Sequence, residues 1–108
     1  MNAREERITT NEIMFREVNE RIDELAEKTS TVAPLAFVCE CGRPGCTDTI
    51  PLSQEEYEAI RRDGQRFVTL PGHETTRLER VVERTDRYQI VEKDDGEAAD
   101  RAEATDPR

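Results

Sequence analysis

Three cysteines, Cys39, Cys41 and Cys46, fall within eight residues, and they are the only cysteines of the chain. An odd number cannot be fully paired inside one molecule, and a reducing compartment keeps such thiols free. The cluster therefore reads as a set of metal ligands rather than as three buried thiols packed as small apolar groups. If Cys39-Glu40-Cys41 is extended, the two-residue period turns both sulfurs to one side. The turn Gly42-Arg43-Pro44-Gly45 then brings Cys46 back to meet them, and its glycines let backbone amides approach the sulfurs. A structural zinc site takes four Cys or His ligands in a tetrahedron. The single histidine, His73, follows a Pro71-Gly72 turn and is the candidate fourth ligand; Glu40, Asp48, Glu74 or a partner's residue are the alternatives. One Zn²⁺ per chain is the expected cofactor.

Size argues for such a staple. The segment 35–93 numbers 59 residues, near the limit at which an apolar core suffices, and the chain is 38% charged against 34% hydrophobic, with no Trp. Structural zinc in small domains supplies roughly 10–16 kcal/mol of binding free energy that becomes folding free energy. Three thiolates would also neutralise the ion and make it a poor Lewis acid, so catalysis is not expected. No Ser-His-Asp arrangement, phosphate-binding glycine loop or pair of acids stands out, and no catalytic residue is assigned. A second chemical reading keeps the same site and gives function to its loss: oxidation of zinc-bound thiolates releases the metal.

The rest of the chain divides into three. Over residues 1–34, Thr9 and Glu12 form the pattern of a capping box, and Phe15, Val18, Ile22 and Leu25 follow at a/d spacing, with Ile8 and Asn11 in the preceding a and d positions. This predicts an amphipathic helix with a narrow apolar seam, followed by a short linker over 29–34. The seam can pack on the domain's own core, or it can serve self-association or a partner helix. Residues 35–93 read as a small α+β domain with short antiparallel strands at Leu35–Cys39, Thr47–Leu52, Phe67–Leu70 and Tyr88–Lys93. Ser53 and Glu56 cap a helix that is expected to stop at Asp63-Gly64, with Gly64 left-handed. Residues 76–84 fit a short helix or a strand. The last segment, 94–108, holds no large apolar side chain and is expected to be a disordered acidic tail.

Charge narrows the partners. The net charge is -9, and the acidity lies in the ends: five basic against eight acidic residues in 1–34, nine against eleven in 35–93, two against six in 94–108. Affinity for nucleic acid comes largely from Lys and Arg displacing counterions, so an acidic chain is a poor DNA or RNA binder. No run approaches the roughly 18 apolar residues of a membrane span, and the start, MNAREERITT, lacks an apolar signal segment. A cytoplasmic protein that meets other proteins is the expectation.

Two resemblances bear on the site. The run from Cys39 to Ile50, CECGRPGCTDTI, resembles the post-SET zinc motif of histone lysine methyltransferases, CxCGxxxC followed by a short apolar strand. That family draws its fourth ligand from a catalytic domain that has no counterpart here, so the resemblance implies only zinc ligation by Cys39, Cys41 and Cys46. Over most of its length the chain is similar to an uncharacterised family of small actinobacterial Cys3His proteins, through NEIMFREVNERI, FVCEC with the following Cys, IPLSQEEYEAIR, PGHE and VVERTDRYQIVEK. This resemblance implies the four-ligand set, because the PGHE histidine belongs to the same pattern, and it implies no activity. The reading that follows is a non-enzymatic, zinc-stapled interaction or regulatory module.

Overall fold

The computed structural model describes residues 1–30 and 33–108. In chain order the elements are α1 (Ala3–Thr29), β1 (Leu35–Val38), β2 (Thr49–Leu52), α2 (Gln54–Ile60), β3 (Arg66–Thr69), β4 (Glu79–Arg84), β5 (Gln89–Lys93) and α3 (Glu97–Ala104). The fold class is α+β, as the strand and helix patterns predict. Strands β1 and β2 pair antiparallel, Leu35 opposite Leu52, and the second sheet is antiparallel in the order β3-β5-β4. The ambiguous residues 76–84 resolve as a turn over 76–78 and the edge strand β4, which carries a bulge between Val81 and Glu83. Of the linker expected over 29–34, residues 31 and 32 lie outside the described residues. Among the described residues no helix is long and apolar enough to cross a membrane.

The main apolar core lies between the two sheets and α2. Alternation in β1 and β2 buries Phe37, Ile50 and Leu52, while Pro51 stays on the outside. Helix α2 begins at the expected capping box: Ser53 Oγ accepts from the Glu56 amide, and Glu56 Oε1 accepts from the Ser53 amide. It presents Tyr57 and Ile60 inward, and the Tyr57 ring stacks on Phe37 with centroids 4.4 Å apart. The helix ends at Ile60, earlier than expected. Its C-cap is Arg61 in a right-handed conformation, and Gly64 is not left-handed. Instead the Gly64 carbonyl accepts from Arg16 of α1, so the chain leaves α2 toward the long helix.

Helix α1 starts earlier than the Thr9-Glu12 pattern predicts. Its capping box is Asn2 with Glu5, which places Thr9 and Glu12 well inside the helix. More consequential is the face it turns inward. Buried along it are Glu5, Ile8, Thr9, Glu12, Arg16, Asn19, Glu20, Asp23 and Ala26, most of them polar or charged. Each charged side chain finds a partner on the domain. Glu12 and Glu79 both meet the Lys93 ammonium, and all three side chains are fully buried. Arg16 donates to the carbonyls of Gly64 and Ala102 and lies over the Phe67 ring. Glu20 pairs with Arg61 and Arg108. The apolar seam divides: Ile8 is buried, Ile22 packs against the core and Phe15 is half-buried, but Val18 and Leu25 are 42 and 63% exposed, as is Met14, outside the predicted seam, at 54%.

The acidic tail is corrected outright. Residues Glu97–Ala104 form α3, which buries Ala98, Ala99 and Ala102. Ala98 packs with Ile8 and Leu78, and Ala102 with Phe67 and Val91. Alanine loses almost no side-chain entropy and has the best helix propensity, so a three-alanine face can order a segment that lacks any large apolar group. Beyond it Asp106 pairs with Arg61, and Arg108 pairs with Glu20, Asp23 and Glu58.

A single substitution tests the inward charges. Lys93→Met leaves Glu12 and Glu79 buried without their cation, and burial already pushes the Glu12 carboxyl well above its usual range. The variant is expected to lose about 3–5 kcal/mol of stability in urea denaturation. Glu12→Gln added to it should recover part of the loss; a stability equal to wild type in the single variant would contradict the triad's importance.

Candidate metal centre

The pairing of β1 with β2 makes a ten-residue excursion, 39–48, at one end of the first sheet, and this excursion holds all three cysteines. Its base is closed by the Cys39 amide donating to the Asp48 carbonyl at 2.9 Å. Its tip is a turn in which Cys46 N donates to Arg43 O, with Gly42 and Gly45 both at positive φ. The second sheet supplies the remaining residue. After β3, Leu70-Pro71-Gly72-His73 forms a turn closed by His73 N on Leu70 O, Gly72 at φ 83°, and the imidazole swings back over the cysteine loop.

The four side chains named from the sequence are brought together. Sγ of Cys39, Cys41 and Cys46 and a ring nitrogen of His73 all lie within 4.8 Å of one another. His73 Nδ1 is 3.7 Å from Cys39 Sγ and 3.8 Å from Cys46 Sγ. A tetrahedron with metal–sulfur and metal–nitrogen bonds of ordinary length has sulfur–nitrogen edges of about 3.6 Å. The two sulfur–nitrogen distances are close to that edge, and the cluster can hold a metal. Cys39 and Cys41 are buried, while Cys46 and His73 are half-exposed at the rim.

Of the other carboxylates considered for the fourth position, Glu40 and Glu74 are engaged elsewhere. Glu40 points away from the sulfurs: it is fully buried, accepts from Asn19 Nδ2 and from the Val68 amide, and burial lifts its carboxyl to about 7. Glu74 accepts from Gln89 and pairs with Arg84. Asp48 is exposed; its carboxylate touches only Cys46 Sγ, at 3.8 Å, and it is not part of the four-residue cluster.

The sulfurs share charge unequally. Hydrogen bonding from Cys39 holds the Cys41 thiol down at about 5, helped by the Arg43 amide. The same bond, with burial, pushes Cys39 up, although Leu70 N donates to its sulfur at 3.2 Å; burial also raises Cys46. The metal-free loop therefore keeps protons on Cys39 and Cys46, and a metal must displace them. Uptake releases protons, so affinity rises with pH and falls as pH drops.

Three residues that hold the loop were not legible as such. Gly42 sits against α1, and a Cβ there would meet Ile8 O at 2.4 Å and Glu12 Cγ at 2.7 Å. Asn11 Nδ2 donates to Gly42 O at 3.0 Å, so the asparagine assigned to a seam position instead clamps the cysteine loop. Asn19 offers its amide group to both the N–H and C=O of Val38, just before Cys39. The available signal was the pair of asparagines eight residues apart on one helix. Comparison with family models, with curated proteins and with solved structures finds no significant match.

Gly42→Ala probes the contact that docks the loop. It combines a side chain at positive φ with a clash against backbone, and is expected to cost about 1–3 kcal/mol and weaken metal uptake. Metal titration followed by thiolate absorbance, at two pH values, checks both this loss and the proton release.

Proposed function

We propose that the protein is a non-enzymatic interaction module, in which one zinc ion fixes the small α+β body and α1 presents an apolar stripe to a second copy of the chain. Support for zinc comes from the donor set: three thiolates and one imidazole within 4.8 Å of one another are the ligand types zinc takes, and four protein ligands leave no open position for water or substrate. The observation that carries the interaction reading is the orientation of α1. Its charged face is consumed by the domain, and Met14, Val18 and Leu25 are left in solvent along one stripe. Exposed large apolar groups aligned in this way mark a contact surface.

A second copy suits the stripe because its margin carries both signs. Arg21 lies between Glu17 and Glu24, so a two-fold-related helix meets complementary charge beside matching apolar residues. Two measurements test the reading. Metal analysis should give one zinc per chain, and chelation should abolish the folded circular dichroism. The mass in solution should be that of a dimer, with Val18→Glu and Leu25→Glu returning it to a monomer of unchanged zinc content. A wild type that stays monomeric at high concentration would reject self-association, and a chain fully folded without metal would reject the staple.

The half-exposed Cys46 supports a second reading, a thiol sensor, since an oxidant reaches the rim sulfur first. It predicts zinc release by mild peroxide, reversed by thiol reductant, and slowed in Cys46→Asp; release that begins only under denaturing conditions would dismiss it.

A further inference from the structure

A second site lies beside the cysteine loop, outside the four-ligand cluster. A cavity of about 290 Å³ opens where the first turn of α1, the Cys41–Cys46 loop and the segment after His73 meet. Arg4, Arg43 and Arg77 are among its lining residues. The chain as a whole carries -9, so a place where three arginines converge needs a reason.

The two carboxylates that also line the cavity, Glu5 and Glu74, neutralise it only in part, leaving one positive charge in excess. Glu5 accepts from the Asn2 amide with one oxygen and faces Arg77 at 3.4 Å with the other. Glu74 gives one oxygen to Gln89 and the other to Arg84, which does not line the cavity, and the Arg43 charge also acts on it. Arg43 makes no ion pair among the described residues: its Nη2 donates to the carbonyls of Gly72 and Glu74, and its other donors are unused. The Arg4 side chain has no partner at all among the described residues. The capping box engages the Glu5 amide of the first turn, while the guanidinium groups of Arg4 and Arg43 keep unspent donors, and Thr75 and Thr76 are also in the lining. Guanidinium groups bind planar and tetrahedral oxyanions through paired N–H···O contacts, and several around one volume favour a multiply charged group.

The geometry points to a binding site for a phosphate group, free or carried as a small phosphomonoester, held by Arg4, Arg43 and Arg77 between α1 and the cysteine loop. A bound phosphate would bridge the two segments that also meet at Gly42. It would place the charge-neutralising ligand next to the loop without touching the metal ligands. This site stands independently of the self-association proposed for α1, whose exposed stripe faces elsewhere on the helix.

The test uses the metal-loaded full chain at constant ionic strength, titrated with inorganic phosphate, with glycerol phosphate and with chloride, while backbone amide shifts are followed. Saturable shifts confined to Arg43, Thr75, Thr76 and the first turn of α1 are expected with the two phosphates. Tighter binding of glycerol phosphate assigns the carried group, and equal binding assigns the free ion. Arg43→Gln and Arg4→Gln should each weaken phosphate about tenfold, the cost of one charge-assisted pair. Arg4→Gln is the decisive variant because its side chain has no structural partner, so its melting temperature should equal wild type. Arg21→Gln, on the outward face, should bind as wild type. Absence of saturation, equal response to chloride, or full phosphate affinity in Arg4→Gln would overturn the site.

Discussion

The meeting of the cysteine excursion with the His73 turn is the constraint on which the rest of the body depends. The excursion grows from the first sheet and the turn from the second, and the two sheets share no strand. Besides the apolar core, they are joined at Cys39 and Glu40. Leu70 N donates to the Cys39 sulfur, Glu40 N donates to Val68 O, and the Glu40 carboxylate accepts from Val68 N. In this way Glu40 extends the free edge of β3 like a one-residue strand, with its side chain supplying the second bond. An ion held between the flanking cysteines and His73 would therefore clamp the same junction that Glu40 stitches. Without it, sulfurs pressed this closely resist sharing negative charge, which is visible in Cys41 being held low while Cys39 is driven up.

The second organising feature is that α1 packs by polarity. A buried ion pair gains little over an apolar contact of the same shape, because desolvation offsets most of the attraction, but it tolerates few alternative arrangements. Along α1 the carboxylates of Glu12 and Glu20, the guanidinium of Arg16 and the amide of Asn19 each require a partner at one place. Lys93, Arg61, the Gly64 and Ala102 carbonyls and the Val38 backbone supply them. These partners all favour the rotation and register that the helix has. That same rotation fixes which residues face out, so the exposed stripe is a consequence of satisfying the charges beneath it.

This is also where the sequence was least informative. The cysteines and histidine were legible because ligand chemistry is local: residue type, short spacing and turn glycines suffice. The capped α2 was legible because Ser53 and Glu56 satisfy each other without help from elsewhere. The inward face of α1 was hidden because apolar periodicity assumes that apolar residues go in, and here the domain offers charges to receive charges. Whether Glu12 meets Lys93 depends on residues 81 positions apart. Helix α3 was missed for a related reason. Its small side chains carry no hydrophobic signal, yet they fit flush against Phe67, Val91 and Leu78, surfaces that exist only once the second sheet has formed. The left-handed glycine expected at residue 64 failed because the Gly64 carbonyl is claimed by Arg16, again a partner from far along the chain.

Gly42 links the two organising features. Its absent side chain lets the cysteine loop lie directly on the Ile8 carbonyl and the Glu12 methylenes, and Asn11 holds it there from the same turn of α1. Glu12 in turn is one arm of the Lys93 triad. The loop and the charged face of α1 are thus in contact through two consecutive turns of one helix. A loop that is ordered by a metal braces the helix in the rotation its charges demand, and a helix so docked narrows the positions open to Cys41 and Cys46. Loop and helix thus constrain each other through the contacts at Gly42, Asn11 and Glu12.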